Sequence, residues 1–85
     1  MLGKKQISPS AAFGVVLREL RQEKNMSQEA LALEADLQRN YISLIERGVN
    51  QPTITTILKL AAALAVKPSA MVARVEEKTN LEISK

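Results

Sequence analysis

The stretch MSQEALALEADLQRNYISLIERG, residues 26–48, decides the fold of this chain. Its first part predicts a helix of about two turns over Gln28–Ala35, which is too short to be stable alone. Asp36 breaks that pattern, and a second short helix is predicted over residues 39–47, where Gly48 ends it. Two short helices joined by a tight turn are what a DNA-reading helix-turn-helix needs, because the second helix must project from the body.

Apolar periodicity on the N-terminal side of this stretch predicts one further helix. Ser8 is a hydroxyl cap before Pro9, and the helix runs to about Lys24, where Asn25 can end it in a left-handed conformation. Its buried stripe follows the spacing i, i+3, i+4 and i+7: Phe13, Val16, Leu17 and Leu20.

Two more helices are predicted on the C-terminal side. Thr53 caps a fourth helix, and Pro68 begins a short fifth helix that gives way to a polar tail over residues 76–85. The fourth helix has the clearest apolar stripe of the chain: Ile54, Ile57, Leu58, Ala61 and Leu64.

The composition bounds the fold and the chemistry. A chain of 85 residues, 46% hydrophobic and 25% charged, is the size of one small domain, with flexible ends expected at about residues 1–8 and 78–85. An aromatic content of 2% favours close-packed helices, so the predicted class is all-α, a compact bundle of five helices. With no Cys and no His, a disulfide framework, thiolate metal sites and the commonest general base are missing, so we expect no metal, no cofactor and no enzymatic activity.

Location and charge give weaker indications. The longest apolar run covers seven residues, 60–66, against about 20 needed to cross a bilayer, and Lys4 and Lys5 are not followed by a signal-like apolar stretch. A cytoplasmic protein without membrane contact is therefore expected. The net charge of +3 is compatible with a polyanionic partner but does not establish one.

The third predicted helix has one mostly polar side that the core does not need. At about 100° per residue from Arg39, the residues Ser43, Arg47, Asn40 and Leu44 fall within about 140° on one side. Arginine and asparagine can bond bidentately to guanine and adenine, serine can contact either, and leucine can touch a thymine methyl group. Any surface helix is amphipathic, however, so from this arc alone a merely solvated face remains the alternative.

Three segments in combination resemble the lambda-repressor-like, Cro-type (XRE) helix-turn-helix family over about residues 12–75. The segments are Met26-Ser27-Gln28-Glu29-Ala30-Leu31-Ala32, then Tyr41-Ile42-Ser43-Leu44-Ile45-Glu46-Arg47-Gly48, and then Pro52-Thr53 with Leu58-Lys59-Leu60-Ala61-Ala62-Ala63-Leu64. The resemblance implies a compact five-helix DNA-binding domain.

The resemblance also implies roles for individual residues. Base edges would face Gln38, Arg39, Asn40, Ser43 and Leu44. The DNA backbone would be touched by Ser27, Gln28, Tyr41, Arg47 and Asn50. Gln28 would also brace the recognition helix, Arg21 and Glu46 would form a structural ion pair between the first and third helices, and Tyr41 could instead be an aromatic at the core edge with its hydroxyl in water.

Relatives of this kind act as transcriptional regulators, so the resemblance implies a homodimer on a near-palindromic operator that blocks or recruits RNA polymerase. The expected dimer surface is helix five with Met71, Val72 and Val75, although the same side chains could simply pack in the core. Phage repressors and controller proteins of restriction-modification systems fit equally well. A protein-binding adaptor or antitoxin-like partner that uses the apolar Leu33 is the alternative function.

Three positions depart from the family pattern. Asp36 replaces a glycine in the turn, Gln38 replaces a capping Ser or Thr, and Ala65 replaces the glycine that ends helix four. Aspartate tolerates left-handed geometry, whereas alanine there could cost about 1 kcal/mol. We therefore expect the fold to survive all three.

Overall fold

The computed structural model describes residues 7–79, and over that range it consists of five helices without a strand. The helices are α1 (Pro9–Glu23), α2 (Gln28–Ala35), α3 (Arg39–Glu46), α4 (Ile54–Leu64) and α5 (Pro68–Thr79). The predicted all-α class is confirmed. Most of the two ends expected to be flexible lies outside the described residues.

Hydroxyl side chains cap the N-termini of three helices. Ser8, Ser27 and Thr53 accept hydrogen bonds from backbone N–H groups three residues ahead, at 3.1, 3.0 and 3.1 Å. Such a cap stabilises a helix by about 1 kcal/mol. α3 differs, because Gln38 at its N-cap makes no capping hydrogen bond through its side chain.

Residues in the left-handed backbone conformation follow α1, α2, α3 and α4, where the chain changes direction. Asn25, Asp36 and Ala65 have φ angles of 57°, 58° and 57°, and Gly48 has φ 77°. Asp36 thus takes up the turn between α2 and α3 in the conformation that a glycine would adopt freely. Ala65 holds the same conformation after α4 at a steric cost.

The core lies where the inner faces of all five helices meet. It gathers 13 buried apolar residues: Phe13, Val16, Leu17, Leu20, Leu31, Ala32, Ala35, Ile42, Ile45, Leu60, Ala61, Leu64 and Met71. α2 and α3 owe their stability to this packing, since helices of eight residues are marginal in water.

Gly14 lets α1 approach the end of α3 backbone to backbone. A Cβ atom at this position would lie 2.5 Å from the carbonyl oxygens of both Ile45 and Glu46. Because these are main-chain atoms, a larger residue would require the two helices to separate. Gly14 therefore fixes how closely α3 seats on α1.

The predicted orientation of α4 was partly wrong. Ile54 is 70% exposed and Leu58 is 51% exposed, although both belong to the stripe expected to be buried. The core instead takes the side formed by Thr56, Leu60, Ala61 and Leu64. α4 carries apolar residues on more than one side, so spacing alone could not tell which side faces inward.

Helix α5 extends beyond the expected start of the polar tail and continues to Thr79. Arg74 pairs with Glu19 and Glu23 at 3.0 and 3.2 Å, and Lys78 pairs with Glu19 at 2.9 Å, so the last turns of α5 are held against α1.

Within residues 7–79 no single helix is long and apolar enough to cross a membrane. α4 and α5 together match by length and composition, but they are bent by 108° relative to each other.

Met71 was expected at a dimer interface, and the structure corrects this placement. The side chain is fully buried in the core. Met71 therefore packs inside the domain, which was the alternative prediction. Its side chain lies on the inner side of α5, and Val72 lies on the outer side.

One buried carboxylate ties three helices together. Arg21 on α1 donates from Nε to Glu46 Oε2 at 2.6 Å and from Nη2 to Oε1 at 3.0 Å. Gln28 on α2 donates from Nε2 to Oε1 at 3.0 Å. Arg18 adds a longer contact of 3.4 Å to Oε1. The carboxylate of Glu46 thereby anchors α3 to both α1 and α2.

The balance of burial and pairing lowers the pKa of Glu46 below its ordinary value of 4.5. Burial raises the pKa of this carboxyl, but the hydrogen bonds from Arg21 and Gln28 and the charge of Arg21 outweigh it. A carboxyl with a lowered pKa in the folded state contributes stability above its unfolded pKa, and this contribution is lost as the pH falls through the folded value.

We expect Glu46→Gln to reduce the free energy of unfolding at pH 7 by about 2 to 3 kcal/mol. This is less than the about 3 to 5 kcal/mol for breaking a fully buried pair, because glutamine keeps one acceptor oxygen for Arg21. Denaturant unfolding at several pH values measures the difference, which should shrink as the wild type is acidified below about pH 4.5.

Glu23→Gln is the matched control, because it neutralises an exposed acid on α1 that pairs with Arg74 of α5, and it should cost under about 0.5 kcal/mol. A Glu46→Gln protein as stable as the wild type, or a deficit that does not change with pH, contradicts the anchoring role of this carboxylate.

Candidate nucleic-acid interface

Helix α3 turns one side to the core and the other to solvent. Ile42 and Ile45 are fully buried, whereas Arg39 and Asn40 are exposed. Ser43 is half-buried. The polar arc expected from the sequence therefore lies on the outside of the domain.

The remaining residues expected to read bases lie on the same helix. Gln38 is exposed at the N-cap of α3, and Leu44 is half-buried toward its C-terminal end. α3 has eight residues, so it is about 12 Å long, which is close to the width of the major groove of B-DNA. Arg39 stands at one end of this length and the exposed Arg47 at the other.

The N-terminus of α2 forms one flank of this surface. Ser27 is exposed and caps the helix, whose first main-chain bond runs from the Leu31 N–H to the Ser27 carbonyl at 3.0 Å. The Ala30 N–H donates to the Ser27 side chain, whereas the N–H groups of Gln28 and Glu29 have no acceptor within the helix and can donate to a phosphate. Gln28 braces α3 through Glu46 and remains half-buried.

The loop after α3 forms the other flank. The N–H groups of Val49 and Asn50 donate to the Leu44 carbonyl at 2.9 and 3.3 Å, so the loop folds back on α3. Ser10 donates to Gln51 Oε1 at 2.8 Å and holds the loop to α1. Asn50 keeps part of its side chain exposed beside α3.

Tyr41 is half-buried at the edge of the core. Its ring packs against the core cluster, and its hydroxyl lies 3.4 Å from Thr56 Oγ1. The sequence offered a contact with the DNA backbone or a hydroxyl in water as alternatives. The structure adds a third partner, Thr56, which sequence reasoning did not identify because it lies on another helix.

An uncharged groove lies between the start of α1, the loop before α4, α4 and α5. Its volume is about 410 Å³, and it is lined by Pro9, Phe13, Gln51, Pro52, Thr53, Ile54, Ile57, Val72 and Val75. Val72 is 48% exposed and Val75 is half-buried. Two of the three residues expected at a dimer surface thus line this groove, which we call the apolar groove.

Known proteins with similar sequences and folds include control proteins and controller proteins of restriction-modification systems. A helix-turn-helix family model matches residues 17–71. The control protein C.BamHI of Bacillus amyloliquefaciens is 51% identical over 57 residues, which are 66% of this chain and 70% of that protein.

Solved structures agree with the sequence matches. The restriction-modification controller protein C.AhdI from Aeromonas hydrophila is 44% identical, with a TM-score of 0.70 over 72% of this chain and 92% of that one. The controller protein C.Esp1396I, solved as a tetramer in complex with its natural 35-base-pair operator, is 28% identical, with a TM-score of 0.79 over 89% of this chain and all of that one. With α3 presented as described above, these matches show that the chain belongs to the helix-turn-helix family, as a lambda-repressor-like DNA-binding transcriptional regulator related to the controller proteins.

Proposed function

We propose that the chain acts as a homodimer that binds a near-palindromic operator, with α3 of each protomer in the major groove. The observation that carries the proposal is the division of α3 between the buried Ile42 and Ile45 and the outward Arg39, Asn40 and Ser43. An apolar side holds the helix on the domain, and a side rich in hydrogen-bond donors is free to meet base edges.

The base-reading residues have distinct chemical roles. Arg39 suits the two acceptors of guanine, Asn40 suits the acceptor and donor edge of adenine, and Ser43 can contact either. Gln38 offers a second amide at the exposed start of α3, and Leu44 offers apolar contact to a thymine methyl group through the part of its side chain that is not buried.

The residues on the two flanks would hold phosphates and set the register. Ser27 and Gln28 lie at the α2 N-terminus, where main-chain N–H groups also favour an anion. Tyr41, Arg47 and Asn50 lie on α3 and the loop beyond it. Phosphate contacts position a protein on the duplex without reading its sequence, so these residues would add affinity for every sequence.

A second copy of this chain is the occupant that we propose for the apolar groove. An eight-residue helix reads only a few base pairs, and two-fold dimers double the site by placing recognition helices about 34 Å apart. The groove has no charged lining residue, so two copies can meet there across a two-fold axis without opposing like charges. Ile54 and Leu58 on α4, one helical turn apart, extend the exposed apolar side of this region.

The setting that we propose is a restriction-modification system, because relatives in this group are controller proteins by name. An operator-bound dimer would block or recruit RNA polymerase at a promoter. Occupancy would then depend on the concentration of the protein itself, since only a dimer presents both recognition helices.

One observation favours a different function. Leu33 on α2 is 84% exposed, which a protein-binding adaptor could use. The two functions differ in salt dependence. DNA binding through about six phosphates per dimer gives a slope of log affinity against log salt of about minus five, whereas contact through an apolar residue gives none.

Replacing Arg39 should change the sequence preference of binding. Arg39→Ala is expected to lose about 1 to 3 kcal/mol on the preferred operator and to relax the preference at one base pair of each half-site. Arg47→Ala, at the C-cap of α3, is the matched control, and it should weaken binding to all sequences by a similar factor and flatten the salt slope. Titrations against an operator and its single-base variants measure both; equal losses for Arg39→Ala on every variant would contradict base reading.

A charge in the apolar groove should disrupt self-association. Val72→Glu is expected to weaken dimer formation by about tenfold or more, because an unpaired carboxylate would be buried in the interface. Val15→Glu makes the same change at a valine on α1 that is 40% exposed and does not line the groove, so it should leave association intact. Sedimentation equilibrium measures both, and an unaffected Val72→Glu dimer would place the interface elsewhere.

A further inference from the structure

A short chain of hydroxyl groups connects α4 to α3. Thr53 Oγ1 accepts the Thr56 N–H at 3.1 Å and donates its own proton to Thr56 Oγ1 at 3.1 Å. Thr56 Oγ1 in turn lies 3.4 Å from Tyr41 Oη. Thr56 is buried, so its hydroxyl must find its partners within the protein.

We propose that Thr56 is a positioning residue that donates to Tyr41 and thereby turns the Tyr41 proton outward, toward an anionic oxygen. The inference rests on the proposed function, because the anion that we assign is a phosphate of the operator backbone. It deepens that function by naming a buried hydroxyl that prepares one of the contacts.

The direction of the hydrogen bond between Thr53 and Thr56 follows from the helix cap. Because Thr53 accepts from the Thr56 main chain, its own hydroxyl proton is available, and it goes to Thr56 Oγ1. Thr56 keeps one hydroxyl proton, and geometry allows either oxygen to be the donor in its contact with Tyr41 Oη. With Thr56 as the donor, all three hydroxyls are oriented from the N-cap of α4 toward Tyr41.

The polarity matters because a phosphate oxygen only accepts hydrogen bonds. If Tyr41 donated its single proton to Thr56, its oxygen would turn lone pairs toward the phosphate. If Tyr41 accepts from Thr56, the same proton is free for the phosphate. A hydroxyl that accepts one hydrogen bond also becomes a better donor in the next, so anion binding would strengthen the long Thr56–Tyr41 contact.

A double-mutant cycle in operator binding tests the inference. Thr56→Val keeps the branched shape and removes the hydroxyl, and it should weaken binding by about threefold to tenfold. Tyr41→Phe should weaken binding by about tenfold or more, because a hydrogen bond to a charged group is lost. In the Tyr41→Phe background, Thr56→Val should then change affinity by less than about twofold, because no phenolic proton remains to be oriented.

Two further variants control for structure. Thr56→Ser retains the hydroxyl and should bind within about twofold of the wild type, and Thr55→Val makes the same chemical change at the exposed neighbour on α4. Thermal unfolding of all variants accompanies the titrations. A structural role alone would lower affinity equally in the Tyr41 and Phe backgrounds.

The wild-type titration separates the possible outcomes. If the wild type holds no duplex in preference to others, the proposed function fails, and this inference fails with it. If the wild type binds its operator but Thr56→Val has no effect, or the same effect in both backgrounds, the positioning role of Thr56 alone is overturned.

Discussion

The structure depends on the carboxylate of Glu46, which accepts hydrogen bonds from Arg21 on α1 and Gln28 on α2 while belonging to α3. A buried charge without its partners is costly, so the pairing favours the observed arrangement of these three helices. Gly14 adds a steric condition at the same place, since α1 meets the main chain of α3 there. The orientation of α3 is therefore set by groups that lie away from its outer face.

Because the groups that orient α3 lie elsewhere, the outer face of α3 and the apolar groove can differ in chemistry. The outer face of α3 carries charged and amide side chains that do not contribute to the core, so its sequence preference can change without loss of the fold. The apolar groove on α1, α4 and α5 has no charged lining residue and is the surface that we propose for a copy of the same chain. Thr53, which lines the groove and caps α4, connects the two surfaces through Thr56 and Tyr41.

Signals from neighbouring residues predicted much of this fold. The errors concern features that depend on contacts between residues far apart in the sequence. Ser27 and Asp36 act through neighbouring backbone, so the bounds of α2 could be predicted from the sequence. The inward side of α4 could not, because Ile54 has the same apolar character as residues that the core takes. Likewise, the pairing of Arg74 in α5 with Glu19 spans 55 residues, and the proposed role of Thr56 depends on a tyrosine from another helix.

The central claim is that α3 carries outward side chains that read base edges in two symmetric half-sites. Selection of bound duplexes from a random pool tests this most directly. The expected result is recovery of an inverted repeat whose half-site centres lie about ten base pairs apart. Recovery of single, unrepeated sites, or of a pool without any enriched sequence, would contradict it.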